Sequence, residues 1–203
     1  PDGSMIRLTV SHYYTPAGRC IQKPYVKGEA KDYGMDMLNR LKHGELTNPD
    51  SIHFADSLKC YTLKKKRVVY GGGGIMPDYF VPLDTMRFTT FHRKLMAKGI
   101  VLDNDLKFMD SHRKQLKAKY PQFSAYLEHF TVPQQLVDSI ISDGKKQKIE
   151  PKDKAELDRT LVYLRAQLKA LIARDIWDMS QYFQVMNQQS DIVTKALEVI
   201  NRP

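Results

Sequence analysis

Cysteine is scarce. Cys20 and Cys60 are the only two in 203 residues, and they form no CxxC pair and no Cys/His ligand spacing, so a zinc site is not expected. The pair fits either one disulfide in an oxidising compartment or two small, inert thiols. Long apolar runs are lacking too. The most apolar long stretch, Leu157 to Trp177, is broken by Arg159, Arg165, Lys169, Arg174 and Asp175, whereas a spanning helix needs roughly 20 apolar residues. The chain begins at Pro1 without a basic n-region or an apolar h-region, so no signal peptide is visible.

Motifs for chemistry are lacking as well. There is no GxSxG, no HExxH and no cysteine-protease signature, and His12, His43, His53, His92, His112 and His129 stand apart without ligand spacing. The glycine run Gly71 to Gly74 is followed by Ile75-Met76-Pro77-Asp78 rather than by Lys-Ser/Thr and a helix. A phosphate loop needs the amides of a helix start, so the glycines are expected to let another backbone approach or to take positive φ. No residue is nominated as catalytic, cofactor-binding or metal-ligating, and no cofactor is expected.

What is present is charge and pattern. The net charge of +9 is spread along the chain: residues 1–83 hold 12 basic against 8 acidic residues, and residues 84–203 hold 20 against 15. Its densest runs, Lys64-Lys65-Lys66-Arg67 and Lys145-Lys146-Gln147-Lys148, contain no aromatic residue. A single-strand binder interleaves stacking aromatics with its cations, so no nucleic acid is expected as a partner.

Met5 to Tyr14 alternates Ile6, Leu8, Val10, His12 and Tyr14 against Arg7, Thr9, Ser11 and Tyr13, the period of a strand with one buried face. An irregular connection follows. A short helix is predicted from about Tyr33 to Lys42, stopped by Gly44. Cys60 to Leu63 and Arg67 to Tyr70 read as two strands joined at the lysines, with Tyr79 to Leu83 as a further extended piece. After Asp84 the period turns helical. Asp84 or Thr85 is expected to cap a helix bearing Phe88, Phe91 and Leu95 and ending at Gly99. A second is predicted from Asn104 to Tyr120 with Leu106, Met109 and Leu116 inward, and a third carries Phe123, Tyr126, Leu127 and Phe130. Pro133 and Gly144 bracket a fourth. Leu157, Leu161, Leu164, Leu168 and Leu171 form the seam of the longest helix, too short for a coiled coil and suited to a bundle core. Ser190 is expected to cap the last helix, with Ile192, Val193, Ala196, Leu197 and Ile200. The fold class is therefore α+β: a β-rich N-terminal part with an irregular insertion, residues 1–83, and an α-helical region, residues 84–203.

Two stretches carry a resemblance. LTVSHYYTPAGRCIQ, Leu8 to Gln22, and GGGIMPDYFVPLD, Gly72 to Asp84, resemble the end of the protease domain in the carboxyl-terminal processing peptidases, the tail-specific proteases. There a PDGS-like turn, here Pro1-Asp2-Gly3-Ser4, leads into the strand. KGIVLDNDLKF, LKAKYPQF and QLKALIARDIW are similar to the C-terminal helical region of long bacterial envelope members. The resemblance implies a serine-type endopeptidase with a serine nucleophile and a lysine base, a PDZ domain, protein or peptide substrates, and a bacterial envelope location, periplasmic or membrane-anchored. No residue matches the serine segment or the GKGxxQ-like lysine segment, which would lie upstream of Pro1. The chain is thus expected to be a C-terminal fragment, inactive alone, that associates with its own copies through unpaired strand edges. The alternatives are an envelope scaffold or protein-interaction domain that has lost peptidase function, and a basic nucleic-acid-binding module.

Overall fold

A computed structural model describes residues 3–6, 8, 10–23, 27–28, 30–85 and 87–202. It divides into two compact units, Pro1–Leu83 and Asp84–Pro203. Helices hold 56% of the residues beside one small two-strand sheet, an α+β composition dominated by α.

In the first unit, α1 spans Ala30–Lys42. Gly44, at φ 82°, stops it: its N–H donates to Leu41 O at 3.1 Å and that of Glu45 to Arg40 O at 3.0 Å. That double bond is a Schellman closure, which uses the left-handed residue to satisfy the last carbonyls. Strands β1 (Lys59–Tyr61) and β2 (Val68–Tyr70) pair antiparallel with Cys60 opposite Val69. The lysine turn between them has no glycine, and Lys66 itself takes φ 51°.

The sheet goes no further among the described residues. Ile6, Leu8 and Val10 are 95%, 76% and 83% exposed, and the nearest thing to a ladder is one antiparallel bridge from Tyr14 to Cys20. Arg7 and Thr9 of the expected strand lie outside the described residues. Tyr79 to Leu83 likewise joins no strand. Alternation is the pattern of a strand that has a sheet to lie on, and none lies beside these residues. No large apolar side chain of this unit is fully buried among the described residues.

The second unit holds the core. Its helices are α2 (Thr90–Ala97), α3 (Ile100–Lys119), α4 (Phe123–His129), α5 (Gln134–Lys146), α6 (Lys154–Ile176), α7 (Met179–Asn187) and α8 (Asp191–Ile200). The leucine seam of α6 faces inward: Leu164, Leu168 and Leu171 are buried, while Leu157 and Leu161 are half-buried against the same cluster. Phe91, Leu95, Val101, Met109, Tyr126, Val137 and Ile140 close around it. Ser190 caps α8 as expected, accepting from Val193 N at 3.3 Å.

Three boundaries depart from expectation. α2 starts at Thr90, because the Thr89 hydroxyl takes the His92 N–H at 3.1 Å, while Asp84 accepts from Arg87 N in the turn before it. α3 begins at Ile100 rather than Asn104, since Gly99, at φ 71°, turns the chain from one helix straight into the next. Gly144 does not end α5 but lies inside it. A Cβ there would stand 2.8 Å from Leu95 Cδ2 and 3.2 Å from Ile149 O, so the glycine lets α2 approach. The end falls to Lys148 at φ 59°, with Ile149 N bonded to Gly144 O and Lys148 N to Lys145 O.

The N-termini of α2 and α6 share one acid. Asp153 caps α6 by accepting from Glu156 N at 2.7 Å. Buried Glu156 accepts from Lys152 N at 2.7 Å through one oxygen and from Phe91 N, in the first turn of α2, at 3.0 Å through the other. These two amide bonds hold its carboxyl below the usual glutamate range. Thr160 adds a hydroxyl contact to Thr89 at 2.6 Å. Charge-assisted bonds of this kind contribute about 1.5–3 kcal/mol each. Glu156→Ala is expected to lower stability by about 2–4 kcal/mol and Glu156→Gln, which keeps one acceptor, by roughly half as much; urea midpoints of the two variants check the ranking.

Candidate functional site

Three places gather chemically capable side chains, one in the first unit and two in the second. In the first, the glycine run meets the segment around Cys20. Gly72 N donates to Cys20 O at 3.3 Å and Gly71 N to Leu58 O at 2.9 Å. Gly71 is buried; a Cβ on it would lie 3.6 Å from Cys20 O and 3.7 Å from Arg19 Cα. At Gly72, φ 84°, a Cβ would come within 2.8 Å of Leu58 Cδ1, which no L side chain tolerates without displacement. The glycines therefore serve close backbone approach. The same residues line a cavity of about 340 Å³ together with His12, Gln22 and Cys60.

Within that cavity His12 Nδ1 stands 3.9 Å from Cys20 Sγ, an encounter that the spacing of the two residues does not announce. That distance is at the outer edge of a sulfur hydrogen bond. A thiol nucleophile needs a base that is itself held by a third group, and none holds His12 among the described contacts. Cys20 and Cys60 are both free. Arg19 Nε and Gln22 Oε1 are buried there without a partner.

In the second unit the buried ionisable groups cluster around α3 and the end of α6. Asp105 is fully buried where the apolar stripe of α3 calls for a hydrophobic residue, and Leu106, expected inward, is 45% exposed. The inward arc runs Val101, Asp105, Met109, Leu116. No donor reaches either oxygen of Asp105 or the Oδ2 of Asp175, and the two carboxyls lie within hydrogen-bonding reach of one another. Asp175 Oδ1 is paired with Arg174 Nε at 2.7 Å, its backbone carbonyl accepts from Arg113, and Arg174 Nη2 approaches Asp105 Oδ2 to 4.0 Å.

Burial, followed by the negative charge of Asp175, pushes Asp105 up to about 7; Arg174 and Arg113 oppose this without reversing it. A protonated Asp105 donates to Asp175 and so partners at most two of these three oxygens. On α2, His92 is buried with Nε2 against Gln167 Oε1 at 2.8 Å, and burial lowers its affinity for a proton. Lys169 is also lowered by burial, but its ammonium donates to Leu127 O at 2.7 Å and lies over the Tyr126 ring. These are internal ties rather than a reaction centre.

α3, α4 and α5 also enclose a groove of about 540 Å³ whose walls carry Lys107, Ser111, His112, Lys119 and His129. Its α3 face is legible afterwards as Lys107, Ser111, Gln115 and Lys119 at four-residue steps, one stripe of a helix. The sequence expectations named none of them, nor Asp105, whose signal is an acid at a core register. Among the described residues no group of three or more His, Cys, Asp or Glu is arranged to hold a metal, and no helix is long and apolar enough to cross a membrane.

Residues 91–178 are similar to a family described as "Family of unknown function (DUF8443)". That stretch runs from the first turn of α2 to the residue after Trp177 and contains both the Asp105–Asp175 pair and the groove. No curated protein and no solved structure matches the chain.

The acid pair has a definite pH signature. Because Asp105 binds its proton more tightly when folded, the native chain holds more protons than the unfolded chain between the ordinary aspartate range and about pH 7. The stability linked to that proton is complete below the ordinary aspartate value and is lost as pH rises through about 7. Asp105→Asn keeps a donor toward Asp175 and cannot ionise. It is expected to be more stable than the parent by roughly 1–3 kcal/mol at pH 8, with the gap closing toward pH 5; thermal melts at both values measure it, and parallel curves would remove Asp105 as the titrating group.

Proposed function

We propose that the chain is the C-terminal part of a serine endopeptidase of the carboxyl-terminal processing type. The first unit contributes strands to the protease sheet, and the second forms a helical region. One observation carries the reading: the two segments that resemble that family's motifs, Leu8–Gln22 and Gly72–Asp84, meet through Gly72 N and Cys20 O at 3.3 Å. They lie far apart in the sequence, and a shared sheet in the family is what would bring them together.

The first unit's exposure supports the same reading. Ile6, Leu8 and Val10 alternate as strand residues do yet stand in the open, as a β-rich part would when the rest of its sheet is supplied by preceding residues. Unpaired strand edges recruit partners, so copies of this chain would also associate with one another. The parent protein would act at the bacterial envelope, periplasmic or membrane-anchored, on protein or peptide substrates.

The chemistry would be that of a serine attacking a peptide carbonyl while a lysine amine takes its proton. An exposed lysine of pKa about 10.4 is neutral in only about one molecule in 2,500 at pH 7, so the base must be buried and desolvated. Lys169 is only half-buried, and its ammonium donates to the Leu127 carbonyl. The serine and lysine therefore belong to upstream segments, and this chain alone is inactive. A scaffold or interaction domain without peptidase function is the reading that replaces this one if the parent gene lacks a Ser segment and a GKGxxQ-like segment.

Hydrolysis of a fluorogenic peptide by the full-length gene product, assayed beside this chain, tests the proposal: turnover by the former alone is expected, and an inactive full-length product overturns it. Light scattering at micromolar concentration is expected to give a mass above that of one 23.5 kDa chain, and a monomeric mass counts against edge pairing.

A further inference from the structure

The groove between α3, α4 and α5 has a chemistry that the peptidase reading does not use. Its charged lining is of one sign. Lys107 and Lys119 stand on the α3 wall with His112, and His129 closes the end of α4. No carboxylate is among the lining residues. Two acids stand at its rim: Asp143 takes Lys146 at 2.8 Å and Asn104 at 3.1 Å and also feels the charge of Lys107, and Glu128 pairs with His129 at 3.7 Å, which leaves Lys119 without an acidic partner among these contacts.

Between the cations the lining is apolar or uncharged. Phe108, Leu116, Tyr120, Phe130 and Leu136 supply the apolar surface, while Gln115 and Gln135 place amides on facing helices. An amide can pair with a peptide's own N–H or C=O, having both a donor and an acceptor. A ligand that fits is therefore anionic at its ends, apolar in its middle and peptide-like in its hydrogen bonding.

The spacing gives a length. Lys107 and Lys119 are separated by twelve steps along α3, about 18 Å at 1.5 Å per residue. An extended peptide covers that distance in about five or six residues.

Nucleic acid offers anionic charge as well, but it needs free ring faces on which bases stack. Here each Phe and Tyr ring of the lining already has an aromatic neighbour. Phe108 stacks on His112 at 4.2 Å and 15°, Phe130 stacks on Tyr126 at 4.6 Å, and Tyr120 meets both Tyr126 and Phe130 edge to face with Lys119 over its ring.

We propose that this groove is a docking site for a short acidic peptide segment of a partner protein, with carboxylates at Lys107 and Lys119 and an apolar side chain between α3 and α5. The site is independent of whether the parent protein is a peptidase. The groove lies wholly within residues 91–178, the stretch that is similar to another family.

Fluorescence anisotropy with the labelled peptide Glu-Glu-Leu-Ser-Phe-Glu-Glu, titrated with the full chain, tests it. Saturable binding is expected, weakened at least about tenfold in Lys107→Glu/Lys119→Glu and changed less than about twofold in Lys94→Glu/Lys98→Glu, which makes the same charge change on α2. All four lysines are exposed, and circular dichroism verifies that both variants are folded. Should the first variant lose its fold, Lys107→Gln/Lys119→Gln replaces it with the same expected direction. The proposal is overturned by no binding at millimolar protein, by equal weakening in both double variants, or by tighter binding of a single-stranded oligonucleotide of the same charge.

Discussion

The helical unit depends on how two helix beginnings are satisfied by one carboxylate. The first turn of a helix leaves N–H groups without intrahelical partners, and burying two such turns side by side would strand them away from water. Glu156 answers both, taking Phe91 N of α2 and Lys152 N ahead of α6. Thr89 and Thr160 lock the same junction through their hydroxyls. With that contact made, α6 can lie against α2 and α3 and present Leu164 and Leu168 to apolar neighbours such as Phe91, Val101 and Met109.

The first unit is held by a different physics. It has backbone turns and a short hairpin, a stacked Phe54–Tyr70 pair at 4.8 Å and the ion pair Lys23–Asp36 at 2.7 Å, but no buried apolar cluster among its described residues. Half-exposed ion pairs contribute about 0–1 kcal/mol. Apolar burial is the dominant favourable term in folding, so this unit has little of its own to offset the entropy of ordering its chain. That contrast supports the proposal that it belongs to a larger sheet.

What the sequence made legible was local chemistry. Ser190 at a cap, Gly44 and Gly99 at positive φ, and the leucines of α6 all act through their own backbone or their own helix face. What it hid depended on tertiary partners. Asp105 occupies a core position because Asp175 can share its proton, and nothing near residue 105 says so. Gly144 was expected to stop α5, yet it admits Leu95 instead, a fact about α2. Met5 to Tyr14 shows a strand's alternation, but no neighbouring strand lies along it among the described residues. The groove needed three helices to exist before Lys107, Lys119 and His129 could line one cavity.

The exchange between α4 and α6 carries one more consequence. Tyr126, on a helix of seven residues, donates its hydroxyl to Lys169 O at 2.8 Å, and Lys169 returns its ammonium to Leu127 O at 2.7 Å. An isolated helix of that length is not stable in water. Its persistence is therefore borrowed from the longest helix in the chain, so the shortest and the longest open as one cooperative unit and not in order of length.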